Sequence, residues 1–570
     1  MGTRLATFIV AGIVAVTIAA GLIVGAQRDD RVGPVDLIVF NGRVFTGAGQ
    51  PRAEAVAVGG NQILRVGSNI DIKKLAGRTT QSIDAGGGTV MPGFTDSHIH
   101  FISGGLNLER VNLLDAESLE AIQTTIKAFA AAHPDYKWIR GRGWYYSPFP
   151  GGLPTRQQLD ELVPDRPAYM ACYDGHTAWA NTLALKLAGI TRDTPDPKDG
   201  IIVRDPTTGE PTGVLKEAAK GLMSKVLPEV SREDELRAVR NAVKEANRFG
   251  VTSIQEAGSS KSELELFEQV RLENGLTVRV SAALSVEDPP TDTEANALDE
   301  VRKAFASNPL IKADAIKVML DGVIEAHTAA MLAPYSNKAT SGHANYTPEQ
   351  LQRLVDTVDS RGWQVWTHAI GDGAVRMTLD AYEHAAKVNP AVARGRRHRI
   401  EHAETIDTAD IPRFAGLNVI ASYMPYHANP SPAMTTVWTT NIGPDRASRG
   451  WISRTLQQHS THLAFGSDWP VVTMDPRLGL QVAVNRTTAD GTPPGGWLPE
   501  QKISLESAIE AYTSGAAYAS FDEQKKGRLE TGMLADIVIL SKDIFSLPPA
   551  RLLDGVVTTT IFDGKVIYRR

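Results

Sequence analysis

The 570-residue chain has a single cysteine, Cys172. No intrachain disulfide and no cysteine-based metal cluster can form. Cys172 lies in an apolar run, Ala168-Tyr-Met-Ala-Cys-Tyr173, and reads as a small buried residue rather than a nucleophile. No long Lys/Arg block occurs and the formal net charge is −6, which argues against a nucleic-acid surface. There is no short-period repeat and no low-complexity tract. Ala85-Gly-Gly-Gly88 lacks a βαβ context, so it reads as a turn and not as a nucleotide loop. What is present is ordinary globular composition, 42% hydrophobic and 22% charged, long enough for a large core and more than one domain.

Charge is also missing from Leu5 to Gln27, a run preceded by Arg4 and followed by Arg28-Asp-Asp-Arg31. The run is long enough to span a bilayer and longer than the usual apolar region of a cleaved signal. Val24-Gly-Ala26 nevertheless satisfies the small-residue rule for cleavage. Residues 1–31 are therefore expected to be a signal peptide or an uncleaved membrane anchor. Either sends the rest of the chain across a membrane, to a periplasmic, secreted or tethered location. Membrane contact is expected only through this segment.

The patterning changes along the chain. Asp36 to Thr46 alternates and turns at Asn41-Gly42, which predicts a hairpin, and Ala55 to Gly67 repeats that style. Gly527 to Leu540 and Val556 to Tyr568 are again short strands with turns. Residues 32–90 and 525–570 are expected to join into one small β-sandwich built from both chain ends. The middle, 91–524, alternates helices with apolar runs. Glu233 to Phe249 and Pro348 to Gly362 read as helices, the second opened by Thr347 as N-cap. Seven apolar runs begin at Val251, Val278, Ala315, Gln364, His398, Asn418 and His462, and an eighth precedes His98. Eight strands alternating with helices predict an α/β fold, a (β/α)8 TIM barrel. An insertion over about 135–225, rich in aromatics and turns, is expected after the first barrel unit.

Polar residues at the C-terminal ends of those strands carry the chemistry, because βα-loops build the site there. Thr89-Val-Met-Pro-Gly-Phe-Thr-Asp-Ser-His98-Ile-His100 ends in two histidines that share one face of a strand. Two imidazoles on a rigid element suit a divalent transition metal. Lys317 lies in the fourth run with Asp321 just after it; His368 ends the fifth, His402 the sixth and Asp468 the last. Each alone is more often structural, but all of them at strand ends form a pattern.

The ordered set Pro92 to His100, Asp174-Gly-His-Thr-Ala-Trp-Ala-Asn181, Gly213-Val-Leu-Lys-Glu217, Lys317 to Gly322, Thr367 to Asp372, Arg399-Ile-Glu-His-Ala403 and Gly466-Ser-Asp-Trp-Pro470 resembles the amidohydrolase superfamily. The specific match is to amidohydrolase family 3, the group that includes N-substituted formamide deformylases. The resemblance runs from about residue 36 to 570. It implies that His98 and His100 bind the more buried ion with Asp468, and that His368 and His402 bind a second. It also implies that Lys317 is carboxylated and bridges the two; the alternative for Lys317 is a charge pair with Asp321 or Glu256, leaving one ion. Zinc is the expected ion by ligand type, with Mn, Co and Ni also suited.

The implied reaction is attack of metal-activated water on a non-peptide C–N bond in a small amide, formamide or N-acyl substrate. Asp468 is expected to move the proton and His176 to stabilise the oxyanion. Trp144, Tyr145, Glu217, Asp321 and Trp469 are candidates for substrate contact. Cyclic amide, carbamate or ester hydrolysis and deamination stay open, as does a barrel that has lost catalysis and only binds. A homodimer is compatible with this reading.

Overall fold

The structure, a computed structural model, describes residues 33–570 except 48, 50–52, 115, 117, 174–176 and 199. The Leu5–Gln27 run and His176 lie outside the described residues. Among the described residues no helix is long and apolar enough to cross a membrane.

Eight parallel strands form one sheet in chain order: β1 Phe94–Ile99, β2 Val251–Ser259, β3 Arg279–Ser285, β4 Ile311–Met319, β5 Gln364–Ala369, β6 Arg399–His402, β7 Ile420–Tyr423 and β8 Leu463–Phe465. The sheet curls into a nearly closed barrel, as the alternation predicts. The segment just past β8 completes the ring. Asp468 N–H donates to His98 O at 2.7 Å, and His100 N–H donates to Trp469 O at 2.9 Å. The Asp96 carboxylate adds to this seam, accepting from Ser467 N–H at 2.9 Å and from Ser467 Oγ–H at 2.5 Å.

Helices cover the outer face for the reason their sequences state. Pro348–Ser360 buries Leu351, Leu354, Val355 and Val358, an i, i+3, i+4, i+7 stripe. Thr347 accepts from Gln350 N–H, and the Gln350 side chain returns the bond to the Thr347 backbone.

Three expectations shift. Seven apolar runs coincide with β2 to β8, but Thr89–Pro92 is not the start of the barrel. It pairs antiparallel with Ile537–Leu540 in the β-sandwich. The chain changes sheets at Gly93, where an added Cβ would meet Thr252 Oγ1 at 2.2 Å, and β1 begins one residue later. The Asn41-Gly42 hairpin does not form either. Leu37–Phe40 and Arg43–Val44 lie in different sheets, one of four strands and one of five. The bend at Asn41 (φ 56°) carries the chain from one sheet to the other, and Leu37, Val39, Val44, Val56, Val90, Ile537 and Ile561 fill the core between them. Finally, the insertion begins near 111, not 135. Its six-stranded sheet runs Gly200–Arg204, Pro211–Glu217, Thr177–Ala180, Ala168–Cys172, Ile139–Trp144, Val111–Asn112. The helix Leu119–Ala132 turns Ile122, Ile126 and Ala130 into that sheet's own core, which is why it belongs to the insertion. Cys172 is buried there.

Gly93→Ala should be felt at this crossing. A methyl forced against Thr252 is expected to cost about 1–3 kcal/mol, read as a lower urea midpoint with an unchanged m-value.

Candidate metal centre

The barrel's C-terminal mouth gathers the strand-end residues. His98 closes β1 and is fully buried; Lys317 and His368 on β4 and β5 are buried as well. His402 is the last residue of β6 and Asp468 lies just past β8, both with left-handed backbone, φ 71° and 59°. For non-glycine residues this costs on the order of 1–3 kcal/mol, a strain typical of functional sites. It turns both side chains inward.

The distances are those of a ligand cluster. Asp468 Oδ1 lies 3.2 Å from His100 Nε2 and 3.6 Å from His98 Nε2. Asp468 Oδ2 lies 3.9 Å from His427 Nε2. Ligand atoms of His98, His100 and Asp468 fall within 4.8 Å of one another, and so do those of His402, His427 and Asp468. Asp468 thus belongs to both groups. Lys317 Nζ is 3.5 Å from His98 Nε2, and no ion pair joins Lys317 to Asp321 or Glu256. His368 packs beside His402, ring centroids 4.4 Å apart. Its Nε2 faces Gly322 O at 3.2 Å and Asp321 Oδ1 at 3.6 Å, so it stands outside both groups.

The donor set fits a divalent ion. His402 Nδ1, His427 Nε2 and Asp468 Oδ1 are buried without a hydrogen-bond partner among the described residues, an arrangement that is costly unless something else satisfies them. Burial, then the Lys317 ammonium, pulls His98 down to about 4 and His368 down to about 3. Burial, then His368, holds His402 well below the usual histidine range. At neutral pH these imidazoles are neutral and offer lone pairs. Burial opposes the Asp468 charge, but His100, His98 and His402 outweigh it and hold the carboxyl well below its ordinary value. Burial lowers Lys317 to about 8.

A buried ionic network orients the first histidine. His98 Nδ1–H donates to Glu401 Oε2 at 2.5 Å, leaving Nε2 to face the site. Glu401 is held by Arg399 through Nε at 2.7 Å and Nη2 at 2.9 Å. Arg399 also donates to Ser97 O, Ser422 Oγ and Gln255 Oε1, and stacks 3.9 Å from the Trp366 ring centroid. Burial works against the Glu401 charge, yet Arg399 and His98 keep the carboxyl well below its usual range.

The other expected residues divide. Asp321 Oδ2 accepts from Ala330 and Gly371 N–H, and Oδ1 accepts from Ile370 N–H. Asp321 is buried, so it braces the loop over His368 instead of opening onto a pocket. Trp144 is fully buried in the insertion core with Nε1–H on Met170 O, so it cannot line a binding surface. Trp469 packs against Gly104 and Phe101, only 8% exposed. Tyr145 stacks on Tyr173 at 4.7 Å. Glu217 is exposed at the end of an insertion strand, with φ 47°. His176 lies outside the described residues. The sequence reading missed His427, which sits in the turn Pro425–Ala428 after β7. Looking four residues past the β7 run, and not only at its end, would have found it.

A nearly closed parallel barrel with histidines and a shared aspartate at its strand ends defines a metal-dependent hydrolase. Residues 81–568 match the amidohydrolase family model, and the chain belongs to that family. It is 33% identical to Protein LONG AFTER FAR-RED 3 of Arabidopsis thaliana over 94% of this chain and 91% of that one. It is 26% identical to the N-substituted formamide deformylase of Arthrobacter pascens over 94% and 98%. A solved metal-dependent hydrolase from Pyrococcus furiosus superimposes with TM-score 0.70 at 26% identity, covering 89% of this chain and 99% of that one. The protein is a metal-dependent hydrolase acting on C–N bonds other than peptide bonds.

Metal removal tests the centre. After chelation, adding back a divalent ion at about a hundred times its Kd is expected to stabilise the fold by ~2.7 kcal/mol. Asp468→Ala, which breaks both ligand groups, should abolish that rise in the thermal midpoint.

Proposed function

We propose that this enzyme hydrolyses a small amide, formamide or related N-acyl compound, using Zn2+ as its ion. The observation that carries the reading is Asp468: one buried carboxylate shared by two histidine groups, with Oδ1 left without a hydrogen-bond partner. The donor set of imidazole and carboxylate suits zinc by ligand softness. His98, His100 and Asp468 would hold one ion; His402, with His427 or His368, would hold a second. When bound, the ion supplies Lewis acidity and lowers the pKa of water toward neutrality.

The chain's own residues do the rest. Asp468 stays ionised and sits at the centre of the cluster, so it can accept a proton from water and pass it to the leaving nitrogen. Glu401 fixes the tautomer and ring plane of His98. Lys317, buried and among the described residues without a carboxylate partner in contact, would be the site of a carbamate that could supply oxygen ligands to the ions. Likeness to the Arthrobacter pascens deformylase supports formamides as the first compounds to try.

A panel of formamides, longer N-acyl amines, cyclic amides, esters and aminopurines, assayed with the zinc-loaded protein, tests the substrate class. Turnover of amides or formamides is expected; activity confined to esters or deamination would overturn it. Asp468→Asn is isosteric and should lower kcat by at least about a hundredfold with the fold retained by circular dichroism. Near-wild-type turnover would remove the proton role. Lys317→Ala should reduce bound metal from two ions per chain to one by elemental analysis. Two ions retained in that variant would exclude the carbamate.

A further inference from the structure

The six-stranded insertion sheet has two faces with different fates. One face is filled by its own core, including Ile139, Met170, Cys172 and Trp179. The opposite face is covered over four of its strands by the helix Thr182–Leu187 and the turn Ala218–Lys225, which enclose Ala180, Leu185, Ile202, Leu215 and Met223. That apolar cover ends with Tyr169 and with Trp138, which packs against it just before the next strand. Beyond it, on Ile139–Trp144, the same face presents Arg140 and Arg142, two residues apart and therefore side by side. Tyr169 is in register with Arg140. On the last strand Val111 is in register with Gly141, which brings Arg110 alongside Arg140.

Three guanidiniums thus share one half-buried patch, and among the described residues no carboxylate forms an ion pair with them. Among the described residues Arg110 donates only to Asn107 Oδ1 at 3.3 Å, and Arg140 only to Pro228 O at 3.3 Å. Arg142 makes no side-chain hydrogen bond among the described residues. Glu109, the adjacent acid, is already committed to Arg237 at 2.6 and 2.9 Å and to Asn241 at 3.0 Å. Burial, then the charges of Arg140 and Arg142, pulls Arg110 down to about 10. Half-desolvated like charges repel, and arginine forks match the geometry of carboxylate and phosphate oxygens. The carbonyl of Pro228 and the side chain of Asn107 place the patch between the two chain segments that join insertion to barrel. One of those segments, Phe101–Asn107, starts directly after His100.

We propose that Arg110, Arg140 and Arg142 form an anion-binding site, taking one carboxylate or phosphate group where the insertion meets the barrel. The anion is either a charged end of the substrate or a free small ion that fastens the insertion in place. The first source rests on the hydrolase reading; the second does not.

The test is calorimetric titration of inorganic phosphate into the metal-loaded full chain at fixed ionic strength. Saturable binding is expected. Arg140→Met and Arg142→Met keep the aliphatic stem, remove the charge, and should each weaken phosphate about tenfold or more. Both variants should still turn over an uncharged amide. Two amides that differ only in a distal carboxylate separate the sources. If the anion is the substrate's, phosphate competes with the carboxylate-bearing amide alone, and Arg142→Met raises KM for that amide with kcat unchanged. If it is a free ion, phosphate leaves both KM values alone and raises the thermal midpoint of the wild type but not of Arg142→Met. Phosphate binding that is equally tight in both variants overturns the site. So does the absence of both saturable phosphate binding and a carboxylate-selective change in KM.

Discussion

The barrel is organised around one buried cation. Arg399 is fully enclosed, and its guanidinium reaches Ser97 on β1, Gln255 on β2, Trp366 on β5, Glu401 beside it on β6 and Ser422 on β7. A desolvated charge of this kind is tolerated only when every donor is satisfied. The strands that supply those acceptors must therefore hold their register. Gln255 passes the constraint outward, donating to Ala516 O in the helix Ser514–Ala519. Upward, Glu401 hands it to His98 and so to the mouth of the barrel. The same network that keeps the strands aligned sets the direction of the first metal ligand.

Asp468 performs a comparable double duty. Its backbone N–H helps to close the ring by donating to His98 O, while its carboxylate stands between two histidine groups. Closing the barrel and assembling the centre are one event, because the seam and the shared ligand are the same residue. The left-handed backbone at Asp468 and His402 is the local cost of aiming side chains across the mouth from the strand ends.

Much of this is legible in the sequence. The 3.6-residue helical stripes alternating with apolar runs located β2 to β8, and strand-end position picked out His98, His100, Lys317, His368, His402 and Asp468. Three kinds of feature were hidden. Sheet membership of short strands was one: Leu37–Phe40 and Arg43–Val44 read as a hairpin because local pattern cannot say that a bend switches sheets. Ligands in turns were another, as with His427. The third was the fate of individual aromatics. Trp144 looks like a pocket residue in sequence, yet it belongs to a core that exists only once the insertion sheet has formed.

Periodicity and residue type determined the barrel, its flanking β-rich ends and the metal-ligand chemistry, since these follow from local spacing and donor identity. Only the tertiary structure decided which ligands converge. His427 joins His402 and Asp468, while His368 turns toward Gly322 and Asp321. Likewise, only the packed insertion sheet places Arg110 beside Arg140 and Arg142. Convergence of this sort depends on register and on chain crossings between residues far apart in sequence, and no local pattern encodes a long-range distance.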